Sequence, residues 1–202
     1  MDGTLLDLAF DNFFWRDLVP ERYARTRGID VESAREQIHA RYEAVIGTLP
    51  WYCLDHWTEQ LDLDIRALKT EHRHLIGFLP SAIEFLDAMR ERVGRMILVT
   101  NAHRATIEVK ASVTGVERWF DAVVSSHDYG AAKEDQAFWS TLTDRQALSP
   151  SSCLLLDDSL SVLQAARDFG IGHVIAVRWP DSRQEPRAVD GFQSIERVGE
   201  LI

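Results

Sequence analysis

The chain has 202 residues, 46% hydrophobic and 27% charged, with a formal net charge of −10. This length holds one sizeable core, or a core plus a small insert, and the composition is ordinary for a soluble globular fold. The acidic balance argues against a nucleic-acid-binding surface, which needs clustered Lys and Arg. It leaves room for a small phosphorylated ligand held by one or two local cations and a metal. The longest apolar runs, such as residues 96–99 and 153–156, are far too short to span a bilayer. No basic-then-apolar leader opens the sequence, and Cys53 and Cys153 lack CxxC spacing. The expectation is therefore a cytoplasmic protein with reduced thiols and no membrane segment.

In chain order, the sequence opens Met1-Asp2-Gly3-Thr4-Leu5-Leu6-Asp7, and residues 8–78 then carry no apolar strand runs. Ser33-Ala34-Arg35-Glu36 reads as a capping box opening a helix, with Ile38, Tyr42 and Val45 on one face. Residues 51–61 read as a second helix, with Leu54, Trp57 and Leu61 on one side. Pro50 and Pro80 punctuate the borders, and Ser81-Ala82-Ile83-Glu84 is a second capping box where the main domain resumes. Beyond it the pattern alternates. Residues 95–100 predict a strand, 104–114 a helix ending at Gly115, and 121–125 a strand. Residues 136–146 predict a helix, 153–157 a strand, 160–169 a helix ending at Gly170, and 173–177 a strand. Continuous apolar strands separated by helices imply an α/β fold whose parallel sheet is covered on both faces. Residues 1–7 and 79–202 form its core, residues 8–78 a helical insert, and the tail after Pro180 reads as polar and peripheral.

In an open parallel sheet, ligands bind beyond the carboxyl ends of the strands. Asp2, Thr100-Asn101, Lys133 and Asp157-Asp158 all fall there. Carboxylates, a hydroxyl and an ammonium group converging on one place suit phosphoryl transfer assisted by Mg²⁺, which prefers hard oxygen ligands. Hydroxyl, backbone N–H and lysine groups then cradle the phosphate. Trp15, Trp51 and Trp57 can stack on a purine or fill a small helical core. Trp57, in phase with Leu54 and Leu61, reads as core; Trp51 and Tyr52 fit either role equally. Arg16 reads first as a solvated helix face, and second as a phosphate or base contact. His103, just past Asn101, lies within reach of a substrate, whereas the other histidines show no metal-binding spacing.

Asp2-Gly3-Thr4, Leu98-Val99-Thr100-Asn101, Lys133 and Leu155-Leu156-Asp157-Asp158-Ser159, with a helical insert after the first, resemble the four motifs of the haloacid dehalogenase-like (HAD) phosphohydrolases. The resemblance covers essentially the whole chain and implies a Rossmannoid three-layer α/β core with a helical cap. Asp7-Leu8-Ala9-Phe10-Asp11-Asn12, Leu18-Val19-Pro20, Trp51-Tyr52-Cys53-Leu54-Asp55 and Lys133-Glu134-Asp135-Gln136 are similar to bacterial purine nucleotidases that hydrolyse GMP and IMP. Such a resemblance implies a small phosphate monoester, a purine nucleotide, as substrate. It implies Asp2 as general acid and then base, and Gly3, Thr4, Thr100, Asn101 and Lys133 as phosphate-binding groups. Mg²⁺ would be held by Asp2, Asp157 and Asp158, while Arg16, Trp51, Tyr52 and His103 would face the substrate.

Many relatives carry another Asp four residues past Asp158, where this chain has Val162. Asp2 sets phosphoryl chemistry apart from dehalogenation. Lys69, near the exit of the insert, is poorly placed for the Schiff-base lysine of phosphonatases. A sugar-phosphate phosphatase, a phosphomutase and a non-catalytic phosphate-binding domain are the alternatives. The nucleophilic Asp of the family's first motif falls directly ahead of Met1, at the end of the first strand. Omitting that strand forgoes about five apolar side chains at roughly 1.5–3 kcal/mol each, as much as a domain's whole stability. The expectation is accordingly that Met1 is an internal methionine and that the chain as written does not turn over. Oligomeric state has no signature in the sequence.

Overall fold

The computed structural model describes residues 1–202. Its strands are β1 (Ile97–Thr100), β2 (Ala122–Ser125), β3 (Leu154–Asp157), β4 (His173–Val177) and β5 (Gln193–Ile195). All pair in parallel, β1 with β2 and, separately, β3 with β4 and β4 with β5. Between them run α7 (Arg104–Thr114), α8 (Gln136–Gln146) and α9 (Leu160–Phe169), as their apolar periodicity predicts. Gly115 and Gly170 end α7 and α9 in the left-handed conformation, where a side chain would be strained.

The sheet is divided: β1 and β3 do not pair with each other. Ile97, Val99 and Leu156 are only partly buried, and Leu154 is 50% exposed. Apolar packing still joins the two halves. Leu98 shares one buried cluster with Ile175, Val177 and Ile195, and Val124 shares the other with Leu155 and Ala176.

Between residues 8 and 78 the regular elements are all helices, joined by turns, up to a bridge from Phe78 to Leu6. They include α1 (Ala9–Phe13), a π-helical turn (Phe14–Leu18), α2 (Val19–Arg27), α3 (Val31–Glu43), α4 (Leu54–Leu61) and α5 (Ile65–Glu71). The first three are continuous. Pro20 lacks an N–H and would press its ring against the carbonyl four residues earlier in a regular helix. The widened turn before it, closed by Val19 N–H to Phe14 O, takes up that conflict.

Three local expectations are corrected. α3 begins earlier than the Ser33 box implies, because Asp30 caps it by accepting from Ser33 N–H at 2.9 Å. Ser81 has a left-handed φ of 65° and makes no side-chain cap, so it turns the chain into α6 (Ala82–Arg92) instead of forming a box. Residues 51–61 are not one helix: a 3₁₀ turn at Leu49–Tyr52 precedes α4, whose N-cap is Cys53.

The tail is not peripheral. It supplies β5, and Asp181 is buried and accepts from Asn12 Nδ2 at 2.7 Å. Leu8 N–H also donates to Pro180 O at 2.9 Å. No helix is long and apolar enough to cross a membrane.

Candidate active site

The opening loop is tied down from both sides. Leu5 and Leu6 N–H donate to Met1 O at 2.9 and 3.1 Å, and Gly3 N–H to Leu6 O at 2.8 Å. Asp7 N–H reaches Gly77 O, and Leu79 N–H reaches Leu5 O. Gly3 has φ +71°, and a Cβ there would lie 2.5 Å from the Asp158 carboxyl carbon. Only glycine lets the loop backbone and the end of β3 approach so closely. The Thr4 hydroxyl is buried without a hydrogen-bond partner, an expensive condition unless a ligand satisfies it.

At the strand ends, Lys133 Nζ donates to Asp157 Oδ2 at 2.5 Å, both groups being buried. Burial opposes either charge, but each partner outweighs it: Lys133 is held above its ordinary value and Asp157 below. Asp157 also accepts from Ser159 N–H at 3.0 Å. Asp158 differs. Burial first, and then the neighbouring Asp157 charge, push its pKa up to about 6; its side chain has Arg187 only at 3.9 Å. Thr100 and Asn101 close β1, both buried. Asn101 Oδ1 accepts from Lys133 N–H at 2.8 Å and its Nδ2 donates to Glu134 Oε2 at 2.8 Å. Tyr52 OH donates to Glu134 Oε1 at 2.6 Å, so one carboxylate clamps the helical segment to the end of β1.

One cavity of about 800 Å³ runs from these groups into the helical segment. Asp2, Thr100, Asn101, Lys133, Asp157 and Asp158 line one end; Trp15, Arg16, Trp51, Tyr52 and Trp57 line the other. The rings brace each other edge to face. Tyr42 packs on Trp57 at 4.8 Å and on Trp51 at 5.2 Å, while Trp57 Nε1 donates to Trp51 O at 2.8 Å. Trp57 is fully buried, as its helical spacing predicts. Trp51, Tyr52 and Trp15 keep partial exposure toward the cavity, and Arg16 is exposed at its rim. His103 does not line it; it faces Cys53, His127 and Asp55. Val162 is buried in the apolar cluster beneath the acidic end.

Four further residues join these groups, of which only Asp11 lies in a motif of the sequence. Lys110, on α7, pairs with Asp2 Oδ1 at 2.5 Å, outside hydrogen-bond geometry, and also with Asp11. Lys69 pairs with Asp11 Oδ1 at 2.8 Å and lines the cavity, so it is no distant residue at the insert's exit. Both lysines are buried. Burial and then the charge of Lys110 lower Lys69 despite Asp11, whereas for Lys110 its two carboxylates outweigh burial and hold it high. Burial opposes the charge of Asp11 as well, yet the two lysines hold it well below the carboxylate range. Arg187, from the tail, donates to the Asp158 carbonyl. Lysines inside amphipathic helices and an arginine in a polar tail read as surface residues, so no spacing signal marked them.

A family model described as haloacid dehalogenase-like hydrolase matches residues 1–170. The chain is 43% identical over its full length to the GMP/IMP nucleotidase YrfG of Escherichia coli K12, covering 91% of that protein. The same figures hold for the GMP/IMP nucleotidase YrfG of Shigella flexneri. Among solved structures, a HAD phosphatase from Thermococcus onnurineus superposes with a TM-score of 0.81 at 22% identity, over all of this chain and 93% of the other.

Proposed function

Since this chain belongs to the haloacid dehalogenase-like hydrolases, we propose that it hydrolyses purine nucleoside 5′-monophosphates, GMP and IMP, with Mg²⁺. The observation that carries the reading is the single cavity with an ionic end and an aromatic end. A nucleotide has the matching division: a dianionic phosphate and a flat base joined by a ribose. The 43% identity to a GMP/IMP nucleotidase supports the same substrate class. In this reading residues 8–78 act as the cap and the sheet as the catalytic core.

The residues present fit a magnesium ion. Asp158 is a carboxylate whose burial and acidic neighbour leave it short of positive charge, and the donors around it are hard oxygens, as Mg²⁺ requires. Asp158, the Asp2 carbonyl and Asp157 would hold the ion, with Asp157 the weakest candidate because Lys133 already engages it. When bound, the ion supplies charge neutralisation at the transferring phosphoryl group.

The chain's own residues supply the rest. Lys133, kept charged by Asp157, offsets phosphate charge at a fixed position. Thr4 Oγ1, buried and unpartnered, donates to a phosphoryl oxygen, joined by Thr100 and the Asn101 backbone. Asp2 protonates the leaving 5′-oxygen and afterwards takes the proton of the attacking water. Lys110 holds the Asp2 carboxylate toward the cavity.

The nucleophile of this scheme is a carboxylate at the position directly ahead of Met1, where it would form the aspartyl-phosphate. In support, Met1 is buried and lines the cavity together with Asp2, Lys133, Asp157 and Asp158. Phosphate release from GMP, IMP, AMP and hexose phosphates, measured with Asp and with Asn placed at that position, tests the scheme. Mg²⁺-dependent release from GMP and IMP with Asp alone is the expected outcome. Faster release from hexose phosphates would refute the substrate, and equal release with Asn would refute the nucleophile.

A further inference from the structure

The proposed hydrolysis leaves a second group of potential ligands unused. Cys53 caps α4 from the helical segment. His103 stands before α7, past the end of β1, and His127 stands in the turn after β2. Remote in sequence, the three each offer a ligand atom within 4.8 Å of the others. The two imidazoles meet edge to face at 5.0 Å. His127 Nε2 is buried and has no hydrogen-bond partner, a condition a protein rarely leaves unanswered. Asp55 Oδ2 lies 3.7 Å from His103 Nε2, on the solvent side of the group.

A thiolate with two imidazoles is a donor set that selects zinc or a similar late divalent metal, whereas magnesium takes oxygen. Zinc sits about 2.3 Å from sulfur and about 2.0–2.1 Å from imidazole nitrogen, so its ligand atoms lie a little closer together than these do. Side-chain rotation on a cap residue and two turns can supply that contraction. Asp55 or a water would complete a tetrahedron.

We propose that Cys53, His103 and His127 form a binding site for Zn²⁺ or a comparable thiophilic divalent ion, separate from the oxygen-lined phosphate end. Cys53 belongs to the helical segment and both histidines to the ends of sheet strands. The ion therefore joins the two regions across the side of the cavity. The site stands independently of the substrate assigned above.

Titrating metal-free protein with Co²⁺ in excess Mg²⁺ tests the proposal, since a sulfur-to-cobalt charge-transfer band reports thiolate ligation directly. The expected result is a band that saturates at one ion per chain and is abolished by Zn²⁺. Cys53→Ser removes the band, and His127→Asn weakens Co²⁺ binding at least about tenfold, the scale on which even outer-shell partners act. A measurement on the unaltered protein accompanies it: Zn²⁺ slows alkylation of Cys53, while Cys153, also a free half-buried thiol, reacts at an unchanged rate. Absence of the band, equal alkylation of both thiols with and without Zn²⁺, or cobalt binding lost in Asp158→Asn but intact in Cys53→Ser would each overturn the site.

Discussion

The two ends of the cavity are held together by different forces. At the sheet end, buried charges are paired, Lys133 with Asp157 and Lys110 with Asp2, while Asp158 alone is left short of a counter-charge; Asp11 and Lys69 of the helical segment extend the pairing from Lys110. At the helical end, rings brace rings, and the polar atoms serve mainly to fix them, as in Trp57 Nε1 to Trp51 O. Ionic matching is strict, because removing one partner strands the other in a poorly solvating interior. Ring packing is tolerant, because area and shape can be partly recovered by neighbours. Changes at the sheet end should therefore act on all substrates alike, and changes at the helical end should redistribute preference among them.

Four substitutions press on that contrast. Asp2→Asn, assayed with the nucleophile position filled by Asp, should lower kcat by about 10²–10⁴-fold for every phosphate ester, the scale of a lost general acid–base. A loss confined to purine nucleotides would contradict its assignment. Lys110→Met leaves Asp2 and Asp11 facing each other without that ammonium, and should destabilise the fold by about 3–5 kcal/mol. Urea unfolding with an unchanged midpoint would show the network to be dispensable. Trp51→Ala should cost about 1–3 kcal/mol in KM for GMP and IMP, leaving a simple phosphate ester unaffected. Equal losses for both would make Trp51 a packing residue. Tyr52→Phe removes only the hydroxyl bonded to Glu134 and should cost roughly 1 kcal/mol, visible as a modest rise in KM with little change in kcat.

Legibility followed the same division. The strand ends were readable because a continuous apolar run ending in Thr-Asn or Asp-Asp marks both the element and the polar group it delivers; β1 and β3 end at Thr100 and Asp157. Helices α7 and α9 were readable from spacing and from the glycines that stop them. The chain after Pro180 was not, because β5 is three residues of mixed polarity whose strand character comes from its pairing with β4. The pairing of Lys69 and Lys110 with Asp11 was invisible for a related reason. A charge on a helix looks the same in sequence whether it meets solvent or a buried counter-charge from another segment. Glu134, beside Lys133 in the sequence, gave no sign that it would join Tyr52 to Asn101. Cys53, His103 and His127 have no spacing in common, and only folding of the helical segment onto the sheet makes them neighbours.

The π-helical turn at Phe14–Leu18 gives the opening helix one more residue than a regular turn would hold. It acts as a phase offset between what comes before and what comes after. Were the same residues wound as a regular spiral, with no change in composition, α1 would turn by about 100° relative to α2. Asp11 would then swing out of register with Lys69 and Lys110, and Trp15 would leave its place beside Trp57. The ionic and aromatic ends are thus set in phase by one helix, and a shift of one position in it would dephase both at once.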